Sequence, residues 1–95
     1  MMFGTIARFR IKPGMEEQLL VLGLGMEKDP GEVASYVYRM DADPSTFYVV
    51  AIFESKEAYV ANAQRPETDA RYQHMRAYFD GEPEWHDGKI VFALT

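Results

Sequence analysis

The sequence predicts an α+β fold of ferredoxin-like order, βαββαβ, with a four-stranded antiparallel sheet that carries helices on one face. Some segments carry apolar residues at every second position, as strands do, and they lie on either side of segments with helical periodicity. Proline and glycine separate these segments. No repeat or low-complexity stretch interrupts the order. We therefore expect one domain over residues 1–95.

The first half of the chain predicts a strand, a helix and a second strand. Side chains that alternate between two faces with a period of two predict the first strand from Phe3 to Lys12. Pro13 is well placed to open the helix, since its fixed φ suits a first turn and its missing N–H would have no helical partner there. Apolar residues of this helix recur at spacings of four, three and four: Met15, Leu19, Leu22, Met26. Asp29-Pro30-Gly31 ends the helix, and a strand follows from Glu32 to Met40.

The second half predicts two strands around a pair of helices. Ser55 is typical of a helix N-cap, and Arg65-Pro66 interrupts the helical sequence. The predicted elements are a strand from Phe47 to Glu54, a helix from Ser55 to about Gln64, a helix from about Glu67 to Asp80, and a strand from Glu84 to Leu94.

The predicted inner strands carry apolar residues on both sides, which favours self-association. In the strand after the Asp43-Pro44 turn, Tyr48, Val50 and Ile52 lie on one face, and the residues on the other face are apolar as well. Helices would cover only one of these faces, and a monomer would leave the other exposed to water. With 47% apolar and 14% aromatic residues, we expect a homodimer through the open sheet face, which gives a dimeric α/β barrel.

Composition disfavours several classes of function. A net charge of -5 argues against nucleic-acid binding, and the lack of cysteine excludes a disulfide framework or thiol nucleophile. No apolar run approaches the roughly 18 residues of a membrane span and no leader pattern is present, so we expect a cytoplasmic protein without membrane contact. Neither a metal-ligand spacing nor a phosphate-binding glycine motif occurs, so we expect no metal or cofactor.

Three short motifs resemble a known family. They are Arg10-Ile11-Lys12-Pro13-Gly14 before the first helix, Asp43-Pro44 before a strand, and Phe53-Glu54-Ser55-Lys56-Glu57-Ala58 at a strand-to-helix junction. Together they resemble the antibiotic biosynthesis monooxygenase (ABM) superfamily, over nearly the whole chain. The resemblance implies a dimeric α/β barrel with a pocket between helices and sheet, and a cofactor-independent monooxygenase acting on a small aromatic phenol or quinol.

Other branches of that family fit the sequence less well. The haem-degrading branch has a Trp and a His at the positions that match Asn62 and Tyr72 here. His74 lies two helical residues away, about 200° around the axis. Tyr can ligate haem iron in some proteins, so haem binding stays a weaker alternative. Quinol-oxidising members often have a Pro-His pair where this chain has Pro66-Glu67.

Candidate site residues follow from the needs of cofactor-free oxygenation, in which the protein stabilises a phenolate or enolate and shields it from water. The candidate catalytic residues are His74, Tyr72, Asn62 and Arg39, and the candidate pocket-lining residues are Tyr36, Trp85, His86 and Phe79. Each also has a structural interpretation. His74 fits a solvated helix face, Tyr72 fits core packing, and Arg39 could pair with Asp41 or Asp43. The competing hypothesis is a non-enzymatic dimeric ligand-binding or accessory domain.

Overall fold

The structure, a computed structural model, describes residues 1–24 and 26–95 and has the predicted fold class. Its elements are β1 (Phe3–Arg10), α1 (Glu16–Leu24), β2 (Glu32–Arg39), β3 (Thr46–Phe53), α2 (Lys56–Ala63), α3 (Pro66–Arg76) and β4 (Glu84–Lys89). The strands form one sheet in the order β2-β3-β1-β4, and every neighbouring pair is antiparallel. This is the ferredoxin-like order, and the prediction of fold class is confirmed.

The strand register divides the sheet into a helix face and an open face. On the helix face, Phe9 of β1 lies opposite Phe47 of β3, and both rings are buried. On the open face, Ile6 lies opposite Val50, and the side chain of Ile6 is 51% exposed. The predicted apolar character of both faces of β3 is therefore present, with only one face covered by helices.

The hydrophobic core lies at one end of the helix face. Its buried members come from β1 and the residue after it, from α1, from β3 and from the segment after α3: Phe9, Ile11, Leu19, Phe47, Phe79. Phe79 packs on Phe9 with ring centroids 4.9 Å apart. The opposite end of the helix face has smaller side chains and forms the candidate site.

Two local contacts position α2. The Ser55 hydroxyl accepts a hydrogen bond from Ala58 N at 3.1 Å, so Ser55 is the predicted N-cap. Gly31, in the turn before β2, has φ +79, and a Cβ there would lie 2.7 Å from the Ala58 Cβ. Glycine is therefore required where this turn meets α2.

The first predicted helix begins later and ends earlier than expected. Pro13 and Gly14 form a turn, in which Met15 N donates to Lys12 O at 3.1 Å and Gly14 has φ +80, and α1 starts only at Glu16. Met26, expected on the helical face, lies beyond the end of α1. The predicted helix also spans Gly25, which lies outside the described residues.

The third helix starts at Pro66, which the sequence analysis placed in the interruption. Proline suits a first helical position, because its N–H would have no partner there. α3 ends at Arg76 and not at Asp80, since the chain turns inward. Phe79 forms a bridge to Ile11, and Lys12 N donates to Tyr78 O at 2.9 Å. Phe79 thus reaches the core from a bridge and not from the helix.

The last strand ends at Lys89, five residues before the predicted end at Leu94. Its partner β1 begins at Phe3, which is opposite Lys89, and the last ladder bond runs from Ile90 N to Met2 O at 2.9 Å. β1 does not extend beside the chain beyond this point. Phe92 is accordingly 78% exposed.

Candidate active site

A row of small side chains across the sheet forms the floor of a cavity under α2 and α3. Ser35 of β2, Ala51 of β3 and Thr5 of β1 are register neighbours, and Asp87 of β4 continues the row. The next row towards the core carries Trp85 on β4. The short side chains leave a cavity of about 450 Å³ between sheet and helices.

Aromatic and apolar groups form much of the cavity wall. Tyr72 and Met75 come from α3, one turn apart, and Tyr59 comes from α2. Tyr72 meets Trp85 edge-on, with ring centroids 5.9 Å apart. Tyr59 packs on Phe53, with centroids 5.5 Å apart. The cavity therefore suits a flat aromatic ligand.

Asn62 is the buried polar group of the cavity wall, and its hydrogen bonds fix the orientation of its amide. The amide oxygen accepts from Thr68 Oγ1 at 3.2 Å and from Arg65 Nη1 at 3.3 Å. The amide nitrogen donates to Asp29 Oδ2 at 3.2 Å. The amide nitrogen has Asp29 as its one partner among residues 1–24 and 26–95, which leaves its second N–H for a ligand. Asn62 therefore offers the cavity a hydrogen-bond donor.

Asp29 anchors this network through a bidentate ion pair with Arg71. Arg71 Nη1 donates to Asp29 Oδ1 at 3.0 Å, and Arg71 Nη2 donates to Asp29 Oδ2 at 2.8 Å. Burial alone would raise the pKa of Asp29, but the hydrogen bonds and charge of Arg71, helped by Asn62 and Arg65, hold that pKa below the ordinary value. Asp29 is therefore an anion that holds the Asn62 amide.

A second polar pair joins α2 to the edge strand. The Tyr59 hydroxyl donates to Asp87 Oδ1 at 2.8 Å. Burial raises the pKa of Tyr59, and the hydrogen bond to Asp87 raises it further, while the contact with the Thr5 hydroxyl lowers it. Tyr59 thus keeps its proton at neutral pH and donates it to Asp87.

A wider groove of about 750 Å³ lies between α1 and α3. Its lining residues include Glu17, Gln18, Val21, Arg71 and Tyr78. Its described lining residues include neither a buried amide nor a pair of facing aromatic rings like those of the cavity above. We therefore take the cavity as the candidate active site.

Three of the candidate residues from the sequence line the cavity: Asn62, Tyr72 and Trp85. Phe79 lies behind the wall, buried in the core, with its ring centroid 6.4 Å from that of Tyr72. The register of β4 against β1 pairs Trp85 with the buried Ala7 and so places Trp85 on the helix face.

The other candidates lie away from the cavity. His74 is exposed on α3 and packs against Tyr78, with ring centroids 6.1 Å apart. Arg39 pairs with Glu16 at 2.7 Å and not with Asp41 or Asp43, because β2 presents it to α1. Tyr36 and His86 lie on the open face. Each is next in its strand to a residue of the floor row, and neighbouring side chains in a strand point to opposite faces.

Sequence reasoning missed several groups of the site. Tyr59 precedes Asn62 by three residues on α2, and this spacing could have indicated a shared helix face. Arg71 precedes Tyr72 on α3, but its partner Asp29 is 42 residues away in the sequence. Contacts at such separations have no local signal.

Two kinds of feature are absent from the described part of the chain. Residues 1–24 and 26–95 contain no group of three or more His, Cys, Asp or Glu side chains arranged to hold a metal ion. Within the same residues, none of the helices has the length and apolar character needed to cross a membrane.

The family model for antibiotic biosynthesis monooxygenase matches residues 2–80. The chain belongs to the antibiotic biosynthesis monooxygenase family. This confirms the resemblance seen in the motifs around Pro13, Pro44 and Ser55. No curated protein matches the sequence.

Solved structures of this family share the fold. A candidate antibiotic biosynthesis monooxygenase from Chloroflexus aurantiacus J-10-fl is 22% identical, with a TM-score of 0.82 over 100% of this chain and 98% of that one. One from Caulobacter crescentus CB15 is 17% identical, with a TM-score of 0.83 over 96% and 91%. SnoaB from Streptomyces nogalater, a cofactor-independent oxygenase solved as an asparagine-to-alanine mutant, is 16% identical, with a TM-score of 0.79 over 98% and 96%.

Proposed function

We propose that this protein is a cofactor-independent monooxygenase that acts on a small aromatic phenol or quinol bound in the cavity. Membership of the ABM family supports the class of reaction. The observation that carries the proposal is the buried Asn62 amide, whose orientation is fixed so that an N–H is offered to a cavity walled by Tyr72 and Trp85. The cavity of about 450 Å³ falls within the range of roughly 300–1,000 Å³ typical of ligand sites.

Cofactor-independent oxygenation requires few protein groups. The substrate, ionised to a phenolate or enolate, gives electrons to dioxygen, and a methylene or ring C–H becomes a carbonyl. One oxygen atom enters the product, and the other leaves as water with the two hydrogens removed from the substrate. Asn62 would donate its N–H to the substrate oxygen as negative charge develops there. Tyr72 and Trp85 would hold the ring plane and exclude water.

Binding is tested first with a thermal-shift screen against hydroquinones, anthrones, flavins and haem, because a ligand that binds only the folded state raises the melting temperature. We expect a rise of several degrees with hydroquinones or anthrones. An oxygen electrode then measures uptake with the class that binds, and we expect one dioxygen consumed per substrate. A Soret band and a shift with haem alone would instead favour haem binding.

Asn62→Ala tests the role of the amide. We expect kcat to fall about 100-fold, the effect of removing one donor to a developing oxyanion. Gln64→Ala is the matched control, since it removes an exposed amide two residues along. Ligand binding with no oxygen uptake by the unaltered protein would contradict the proposed reaction and favour a non-enzymatic ligand-binding domain.

We also propose that a second copy of the chain covers the open sheet face. Tyr36, Val50 and Ile6 form a row across this face, and Tyr36 is 57% exposed. Burying such a row removes apolar area from water. Light scattering should give the mass of two chains for the unaltered protein. Ile6→Lys should give one chain, while Val60→Lys, on the outer side of α2, should stay at two.

A further inference from the structure

The Tyr59–Asp87 pair connects the cavity with solvent. Tyr59 lines the cavity, and its hydroxyl donates to Asp87 Oδ1 at 2.8 Å. Asp87 stands at the β4 end of the floor row and is exposed. A hydrogen-bonded path therefore runs from the cavity wall through one hydroxyl to a carboxylate in contact with water.

The pair also complements Asn62. Tyr59 and Asn62 are three residues apart on α2, so both side chains reach the same cavity. Asn62 offers an N–H, whereas the Tyr59 hydroxyl has its proton committed to Asp87 and keeps lone pairs that can accept a hydrogen bond. A phenolic hydroxyl between them would have one partner for its oxygen and another for its proton.

We propose that Tyr59 is a catalytic residue that accepts the proton of the phenolic substrate and passes its own proton to Asp87. This inference rests on the proposed function. The substrate O–H bond breaks, its proton bonds to Tyr59 Oη, and the original Tyr59 proton moves to Asp87 Oδ1. The electron pair stays on the substrate oxygen as phenolate, which dioxygen, the oxidant, then consumes. Asp87 returns its proton to bulk water, and one proton is taken back from bulk water when the second oxygen atom leaves as water, so the overall reaction neither consumes nor releases protons.

Several charged groups surround the pair and belong to its electrostatic setting. Lys89 lies two residues along β4 on the same face. The Lys56 ammonium, on α2, lies 5.8 Å from the centroid of the Phe3 ring, which packs on Tyr59. On the cavity side are three acidic groups and one basic group: Asp29, Glu32, Asp69, Arg71. The Asp29 and Arg71 charges offset each other.

A purely structural role would be to tie α2 to β4. Tyr59→Phe keeps the ring contacts with Phe3 and Phe53, and Asp87→Asn keeps a hydrogen-bonding side chain at the same place. Both variants should therefore fold and bind ligand. The dependence of the rate on pH separates the two roles. Loss of a purely structural hydrogen bond would leave the slope of log kcat against pH unchanged, whereas loss of a proton acceptor would make the rate depend on hydroxide.

The test measures oxygen uptake with an anthrone or hydroquinone from about pH 6 to about pH 8, with the protein-free rate subtracted at each pH. The unaltered protein should show a flat profile, because the relay and not hydroxide takes up the substrate proton. Asp87→Asn and Tyr59→Phe should lose about 100-fold in kcat at neutral pH. Their log kcat should rise about one unit per pH unit, since hydroxide replaces the missing base.

Chemical rescue provides a second readout. Asp87 is exposed, so added formate should reach the space left in Asp87→Ala and restore part of the rate. Turnover by the variants with an unchanged pH slope and no rescue would overturn the relay and leave the proposed function standing. Failure of the unaltered protein to consume oxygen with any of the phenolic classes would overturn both.

Discussion

Replacing Arg71 by Met should destabilise the protein through the loss of the ion pair with Asp29. The two hydrogen bonds of the pair are 2.8 and 3.0 Å long, and the side chains of Asp29 and Arg71 are only 12% and 28% exposed. Removing one partner of a fully buried pair costs about 3–5 kcal/mol, while an exposed pair contributes about 0–1 kcal/mol. Arg65 remains 3.6 Å from Asp29 and compensates part of the charge. We therefore expect a loss of about 2 kcal/mol.

Urea unfolding followed by circular dichroism measures this loss. For a small domain, with a slope of about 1–2 kcal/mol per molar urea, the midpoint should fall by about 1–2 M. Arg76→Met is the matched control, because Arg76 pairs with Glu82 at the same 2.8 Å from the same helix, but both side chains are more than half exposed. That variant should change the free energy of unfolding by less than about 0.5 kcal/mol.

The effect of Arg71→Met should also depend on pH. Because the pKa of Asp29 is lower in the folded state than in the unfolded state, its contribution to stability is present above the unfolded pKa of about 3.9 and is lost as pH falls through the folded pKa. The difference between the two proteins should be constant from about pH 8 to about pH 5 and shrink below about pH 4. Equal losses for Arg71→Met and Arg76→Met, or a difference that grows on acidification, would refute this reasoning.

Two further predictions concern the turn before β2 and the cavity floor. Gly31→Ala should cost about 2–3 kcal/mol, because φ is +79 and the new Cβ meets Ala58, whereas Gly14→Ala, at φ +80 with nothing within 4 Å, should cost only about 1 kcal/mol. Thermal unfolding of the two variants compares them, and equal costs would show that the contact is irrelevant. Ala51→Leu should fill the cavity floor and abolish the thermal shift by aromatic ligands. Ala70→Leu, on the exposed side of α3, should keep the shift.

Local patterns were enough to predict the order of the elements and the fold class. Alternation identified β1 to β3 within two residues at each end, and Ser55 marked the start of α2. The errors arose where the end of an element depends on a distant partner. β4 ends at Lys89 because β1 begins opposite it, and the chain after α3 turns inward because Phe79 pairs with Ile11. Neither partner is visible in the sequence around the element itself.

The site was harder to predict, because a period of two defines two faces without saying which of them meets the helices. Trp85 and His86 are neighbours in the sequence and both are candidate pocket-lining residues, yet the register places Trp85 at the cavity and His86 on the open face. The choice is made by β1, where Thr5 and Ala7 are buried beneath the helices and Ile6 is exposed. A single-residue shift of β4 would exchange Trp85 and His86.

The cavity itself depends on residues that have no chemical signature. Ser35, Ala51 and Thr5 lie in three different strands, and only the register brings their short side chains into one row. Above that row, α2 presents Tyr59 and Asn62 at a spacing of three, so polar groups of the helix line the space above the floor. The same register sets Asp87 at the end of the row, within reach of Tyr59. A shift of β4 by one residue would therefore remove the acceptor of Tyr59 and the aromatic wall together, which ties the proposed chemistry to the pairing of β1 with β4.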